Sequence, residues 1–184
     1  MRKFNVLFLV LTLVLLSGCA GVVSLHPLAV PNGQDGVFDP ALLGTWEEVS
    51  ANPDGPPPRY VVARAESGYA VTAGPTETKC TMQLVKAGDR YLLDVHFPSD
   101  DPPVPVHLFL KLRLDKDAAW VAEMDSDWLE AQIETGGVLR HEVLTEDHGR
   151  ILLTASTSEM RSFLLPYVKD DRSFGEETEL RRIK

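Results

Sequence analysis

The chain has 184 residues, with 18 basic side chains against 27 acidic ones and a net charge of −9. A balance that acidic argues against a nucleic-acid partner and against docking on anionic lipid head groups. No His or Cys cluster has zinc-site spacing and no C-x-x-C-H run attaches haem, so neither metal nor cofactor is indicated.

In chain order, Arg2 and Lys3 precede Val6–Leu16, an apolar run of 11 residues broken only by Thr12. That run suits the apolar part of a secretory signal and falls short of the ~20 residues of a membrane-spanning helix. It closes on Leu16-Ser17-Gly18-Cys19, which resembles the lipobox of bacterial lipoproteins. The resemblance implies cleavage before Cys19, a diacylglycerol on its sulfur and a third, palmitate-like acyl chain on its amine. Ala20 follows where an aspartate would signal inner-membrane retention, so the implied address is the outer membrane, on its periplasmic face. Three chains would hold the protein firmly, since each buried CH₂ contributes about 0.8 kcal/mol.

Removing residues 1–18 takes two basic residues and no acidic one, leaving 166 residues and a net charge of −11. That length suffices for one domain burying ~70% of its unfolded surface. With Cys19 lipidated, Cys80 is the remaining thiol, so no internal disulfide forms and Cys80 is expected to lie buried in a strand. Residues 19–38, with Pro27, Pro31, Asn32, Gly33, Asp35 and Gly36 and no apolar periodicity, read as the lipidated cysteine and a flexible tether. The domain is expected over 39–184, opening with Asp39 as a cap and Pro40 in the first position of a short helical turn.

Gly44-Thr45-Trp46 begins the first strand, and short strands then alternate with turn residues. Further candidates are Arg59–Glu66, Tyr69–Ala73, Cys80–Lys86, Tyr91–Phe97, Val106–Leu114, the Trp120 strand, Val138–Thr145, Ile151–Ala155 and Thr178–Ile183. Val106–Leu114 is the clearest: five apolar residues from Val106 to Leu114 share one face, while His107, Phe109, Lys111 and Arg113 share the other. Gly88-Asp89 and Asp115-Lys116-Asp117 read as hairpin turns. Two helices interrupt the strands. One starts at Asp125-Ser126-Asp127 and stops at Gly136-Gly137. The other has the capping box Ser156-Thr157-Ser158-Glu159, an apolar face from Met160 to Val168, and Pro166 to kink its last turn. The fold class is therefore mainly β (β-rich α+β), an antiparallel barrel of about 8–10 short strands with two short helices.

Gly44-x-Trp46, placed after a short helical turn, resembles the first signature of lipocalins and related calycin barrels. The resemblance implies a lipocalin-like barrel whose floor Trp46 closes, with Arg181 or Arg182 of the last strand lying over the indole. The second lipocalin signature has no counterpart here, and two helices replace the family's single C-terminal one. Ser24-Leu25-His26-Pro27-Leu28 together with Phe38–Trp46 also looks like an uncharacterised group of bacterial lipoproteins with no activity to carry over. Inward residues Trp46, Tyr60, Leu93, Leu110 and Trp120 would line a ligand cavity or, alternatively, fill the barrel.

Asp94 and His96 share one strand face, and His107 lies on the polar face of the next strand. If the two strands pair, the three side chains converge as a metal site or a His–carboxylate pair; the other reading is a solvated outer face. His141-Glu142 fails the H-E-x-x-H motif because position 145 is Thr, and no G-x-S-x-G, P-loop or dinucleotide turn is present. The expectation is a non-enzymatic envelope lipoprotein without a cofactor, held by its lipid and binding a small apolar ligand or an envelope protein. The alternatives are a structural or interaction module with a filled barrel, and a metal-dependent or hydrolytic enzyme at Asp94, His96 and His107.

Overall fold

A computed structural model of the chain describes residues 21–30, 35–49, 56–74, 78–98, 106–135, 139–144 and 150–183. The lipobox with Cys19, the Gly136-Gly137 helix stop and most of the Pro98–Pro105 connection lie outside the described residues.

Eight antiparallel strands close into a barrel: β3 (Gly44–Glu48), β4 (Arg59–Arg64), β5 (Tyr69–Ala73), β6 (Thr78–Ala87), β7 (Arg90–Phe97), β8 (Val106–Leu114), β9 (Ala118–Glu123) and β12 (Thr178–Ile183). They follow one another from β3 to β9, and β12 seals the ring between β3 and β9. The period-two pattern of β8 decides its register, since a one-residue slip would turn its leucines to the wrong face. Leu110 and Leu112 accordingly stand opposite Leu93 and Tyr91 on the barrel's inner face. The expected hairpin at Gly88-Asp89 is present, and Gly88 has a φ of +66°, a conformation that glycine adopts without strain.

Two cores result. The first fills the barrel with Leu42, Trp46, Tyr69, Leu84, Leu93 and Leu112 among others, and includes Cys80. The second lies outside the barrel, where Val85, Leu92, Phe109 and Ala122 project from the outer faces of β6 to β9. A wall with apolar residues on both faces must be covered on both. The cover consists of α1 (Ser126–Glu134), α2 (Thr157–Leu164), and a small sheet of β1 (Val22–Ser24), β10 (His141–Leu144) and β11 (Arg150–Leu153). β1 runs parallel to β11 and touches β8 through Ser24 opposite His107.

The flexible tether expected over 19–38 is therefore corrected for its described part. Val22–Ser24 is a strand, Leu28 and Ala29 are fully buried in the second core, and β2 (Gly36–Val37) pairs with β6. Proline and glycine suggested a linker because these segments lack periodicity. Long-range contacts order them instead: Thr157 donates to the Pro27 carbonyl at 2.7 Å and Arg161 to the Leu28 carbonyl at 3.1 Å.

Both helices start where their caps place them. Asp125 accepts the Trp128 amide at 2.7 Å, and Ser156 and Glu159 exchange the two bonds of a capping box. Pro166 does more than kink the second helix. The α-helix ends at Leu164 and the last turn, Leu165–Tyr167, is a 3₁₀ turn, because proline has no amide to continue the α-helical ladder.

Candidate functional site

The floor of the barrel is built around Trp46. Asp39 caps the 3₁₀ turn Pro40–Leu42, and the Trp46 indole donates to the Leu42 carbonyl at 2.9 Å. Of the two arginines expected over the ring, Arg182 takes the place, 4.3 Å from the ring centroid and directly opposite Trp46 in register. Its guanidinium donates to the Leu43 carbonyl at 2.6 Å and to the Ala41 carbonyl. Gly44 has a φ of +131°, and a Cβ there would stand 2.8 Å from an Arg182 nitrogen. The backbone conformation favours glycine at that point, and a side chain there would also push the Arg182 guanidinium off its place.

Four of the five expected inward residues face the interior. Trp46 and Leu93 are buried there, with Tyr60 and Leu110 half-buried against them. Tyr60 donates toward Glu48 at 3.4 Å, and burial followed by the Glu48 charge pushes its phenol up to about 12. Trp120 does not face inward, and that expectation is corrected. Ala119 and Val121 point into the barrel, so Trp120 points out, where Arg113 stacks 3.6 Å from its ring centroid. With Ala, Trp and Val adjacent, β9 is apolar on both faces and its pattern does not distinguish inside from outside.

The outer wall carries the polar site. β7 and β8 pair as a hairpin with His96 opposite His107 and Asp94 opposite Phe109, and this brings Asp94, His96 and His107 together. The solvated-face reading is overturned for Asp94 and His107, which are only 3% and 9% exposed. The segment after β1 crosses over them, and the Leu28 amide donates to Asp94 Oδ2 at 2.6 Å. The other oxygen, Oδ1, accepts from His107 Nδ1 at 2.6 Å. A carboxylate facing Nδ1 places an imidazole proton on that nitrogen. The His96 ring stacks on His107 with centroids 4.9 Å apart. Burial first, then the neighbouring His107, holds the His96 imidazole below its usual range, against the pull of Asp94.

These side chains border a cleft of about 210 Å³, completed by Pro27, Thr81, Met82 and Gln83. Both Asp94 oxygens are committed to hydrogen bonds. Among the described residues no group of three or more His, Cys, Asp or Glu is arranged to hold a metal ion. Ser24 stands opposite His107 in register, yet its hydroxyl turns to the His26 carbonyl at 2.8 Å and the Met160 sulfur at 3.1 Å. The pair thus joins the covering segment to the barrel wall. The sequence offered Asp94, His96 and His107, but not Leu28, whose backbone amide completes the site and leaves no side-chain signature.

A larger groove of about 1020 Å³ lies between the covering segment and α2, bordered by His26, Val30, Thr157, Arg161 and Leu165 among others. Arg161 there pairs with Asp35 at 3.2 Å. Comparison of the chain with protein-family models, with curated proteins and with solved structures finds no match.

Proposed function

We propose that the protein is a lipid-anchored lipoprotein of the bacterial envelope that works as a non-enzymatic interaction module from the outside of a filled barrel. The observation that carries this reading is the barrel interior, where Trp46, Tyr69, Leu84, Leu93 and Leu112 pack as one apolar cluster over a sealed floor. Small barrels filled by side chains in this way carry function on their outer faces and loops. The 1020 Å³ groove lies outside that cluster, and the 210 Å³ cleft touches it only at Met82. The anchor is inferred from Leu16-Ser17-Gly18-Cys19 behind the apolar run, and Ala20 favours the outer membrane, on its periplasmic face. The envelope partner would be another envelope protein. A small apolar ligand in the barrel is the competing reading.

The Asp94–His107 pair supports a structural role more than a catalytic one. Its carboxylate is spent on Leu28 and His107, and the serine opposite His107 bonds elsewhere. Native mass spectrometry of the full chain, extracted from bacterial membranes in mild detergent, tests the reading. The expected species carries its acyl chains and no further small molecule. A stoichiometric apolar adduct that leaves on Trp46 or Leu93 substitution would favour the ligand carrier.

A further inference from the structure

We infer that the edge of the small outer sheet, at Val143 and Leu144 of β10, rests on the membrane surface to which the lipid holds the protein. This inference builds on the proposed lipidation of Cys19. Gly21 is already fixed in the fold, because its carbonyl accepts the Ile151 amide at 3.1 Å, and Val22–Ser24 is clamped between β11 and β8. Only Ala20 stands between Cys19 and Gly21, and an extended chain covers about 7 Å over those two residue steps. A domain tied that closely has its anchored side against the head groups.

That side carries apolar residues in the right place. Val22, Ile151 and Val143 form one row across β1, β11 and β10, and Leu144 pairs with Arg150 in the adjoining row. Val143 and Leu144 are thus two strand spacings, about 10 Å, from the anchored strand. They are 46% and 37% exposed, and are the one pair of chain neighbours among the large exposed apolar residues described. Single exposed apolar residues are ordinary on a protein surface; these two project from opposite faces of β10, so they flank its edge from both sides, beside the lipid attachment. Among the described residues β10 is also an edge strand, with an exposed Glu142. Unpaired backbone and a carboxylate cannot enter hydrocarbon without large cost, so the contact is confined to the head-group level. The mature chain's negative charge makes the occupant a predominantly zwitterionic lipid surface.

The test uses the full chain, purified with its lipid and reconstituted in phosphatidylethanolamine-rich vesicles, with an environment-sensitive fluorophore on Val143→Cys, Leu144→Cys or Val61→Cys. Val61 is 48% exposed on β4, which stands four strands from β8 in either direction round the barrel. Cys80 does not interfere, since burial pushes its thiol up to about 11. Labels at 143 and 144 should shift to the blue and be quenched several-fold more by spin-labelled lipid than the label at 61. Intact mass, read on the same samples, separates the two levels of the argument. An acylated chain whose labels at 143 and 144 stay water-like overturns the membrane-facing edge alone. An unacylated chain overturns the lipid attachment and this inference with it. The same blue shift without vesicles, from a second copy covering the strand, also overturns it.

Discussion

The Arg182 guanidinium lies 4.3 Å from the Trp46 ring centroid while donating to the Leu43 carbonyl, so one side chain closes the barrel floor by two kinds of contact. First and last barrel strands meet there, and the closure of the ring depends on that meeting.

Trp46→Ala should cost about 3–5 kcal/mol, as truncation of a buried tryptophan does. Out of a total of ~5–15 kcal/mol that is severe. Arg182→Ala should cost less, about 1–3 kcal/mol, through the lost ring contact and the carbonyls left unpaired. The two losses should be non-additive in a double-mutant cycle. Urea unfolding of residues 20–184 measures all three, and a Trp46→Ala protein as stable as the parent would remove the floor's keystone.

Leu28→Ala separates a packed segment from a tether. The side chain is fully buried in the second core, so truncation should cost about 2–5 kcal/mol. Unchanged thermal unfolding would mean that the segment does not belong to the domain.

Asp94→Ala should loosen the same segment from the other side. It leaves the Leu28 amide and His107 Nδ1 without their acceptor, and an unmade buried bond costs about 1–3 kcal/mol. Hydrogen exchange at the Leu28 amide should accelerate well beyond that of amides in β5. Equal protection in both proteins would contradict the contact.

His96 gives a pH dependence with a definite sign. Burial, then His107, lowers its imidazole from the ordinary 6.5. The unfolded chain therefore binds more protons, so the stability contribution is complete above 6.5 and is lost as pH falls through that value. His96→Gln should flatten the decline of the thermal midpoint between about pH 7 and 5. An unaltered slope would remove His96 from the titration.

Cys80 should react slowly with thiol reagents in the folded state. Burial pushes the thiol up to about 11, which starves it of thiolate at neutral pH. Labelling at the rate of the urea-unfolded chain would contradict that burial.

Much of the barrel was legible because its strands alternate. Leu108, Leu110 and Leu112 against His107, Lys111 and Arg113 fix a face and a register at once, and Gly44-x-Trp46 marks the floor. The outer layer was less so. Phe109 lies on the polar face of β8, yet it is buried under the helices, and only a second cover explains it. Nothing local in Leu28-Ala29 distinguishes a core segment from a tether, since its partners are more than sixty residues away. The candidate site was half legible for the same reason. Asp94, His96 and His107 could be placed on one face by period two, but their burial depends on a segment that carries no pattern.

The most direct test of the account is the intact mass of the full chain extracted from bacterial membranes. The expected species is a chain beginning at Cys19, heavier by a diacylglycerol and one further acyl group, with no small molecule retained in the barrel. A chain that keeps residues 1–18, lacks the acyl groups, or holds an apolar ligand inside the ring of strands would contradict it.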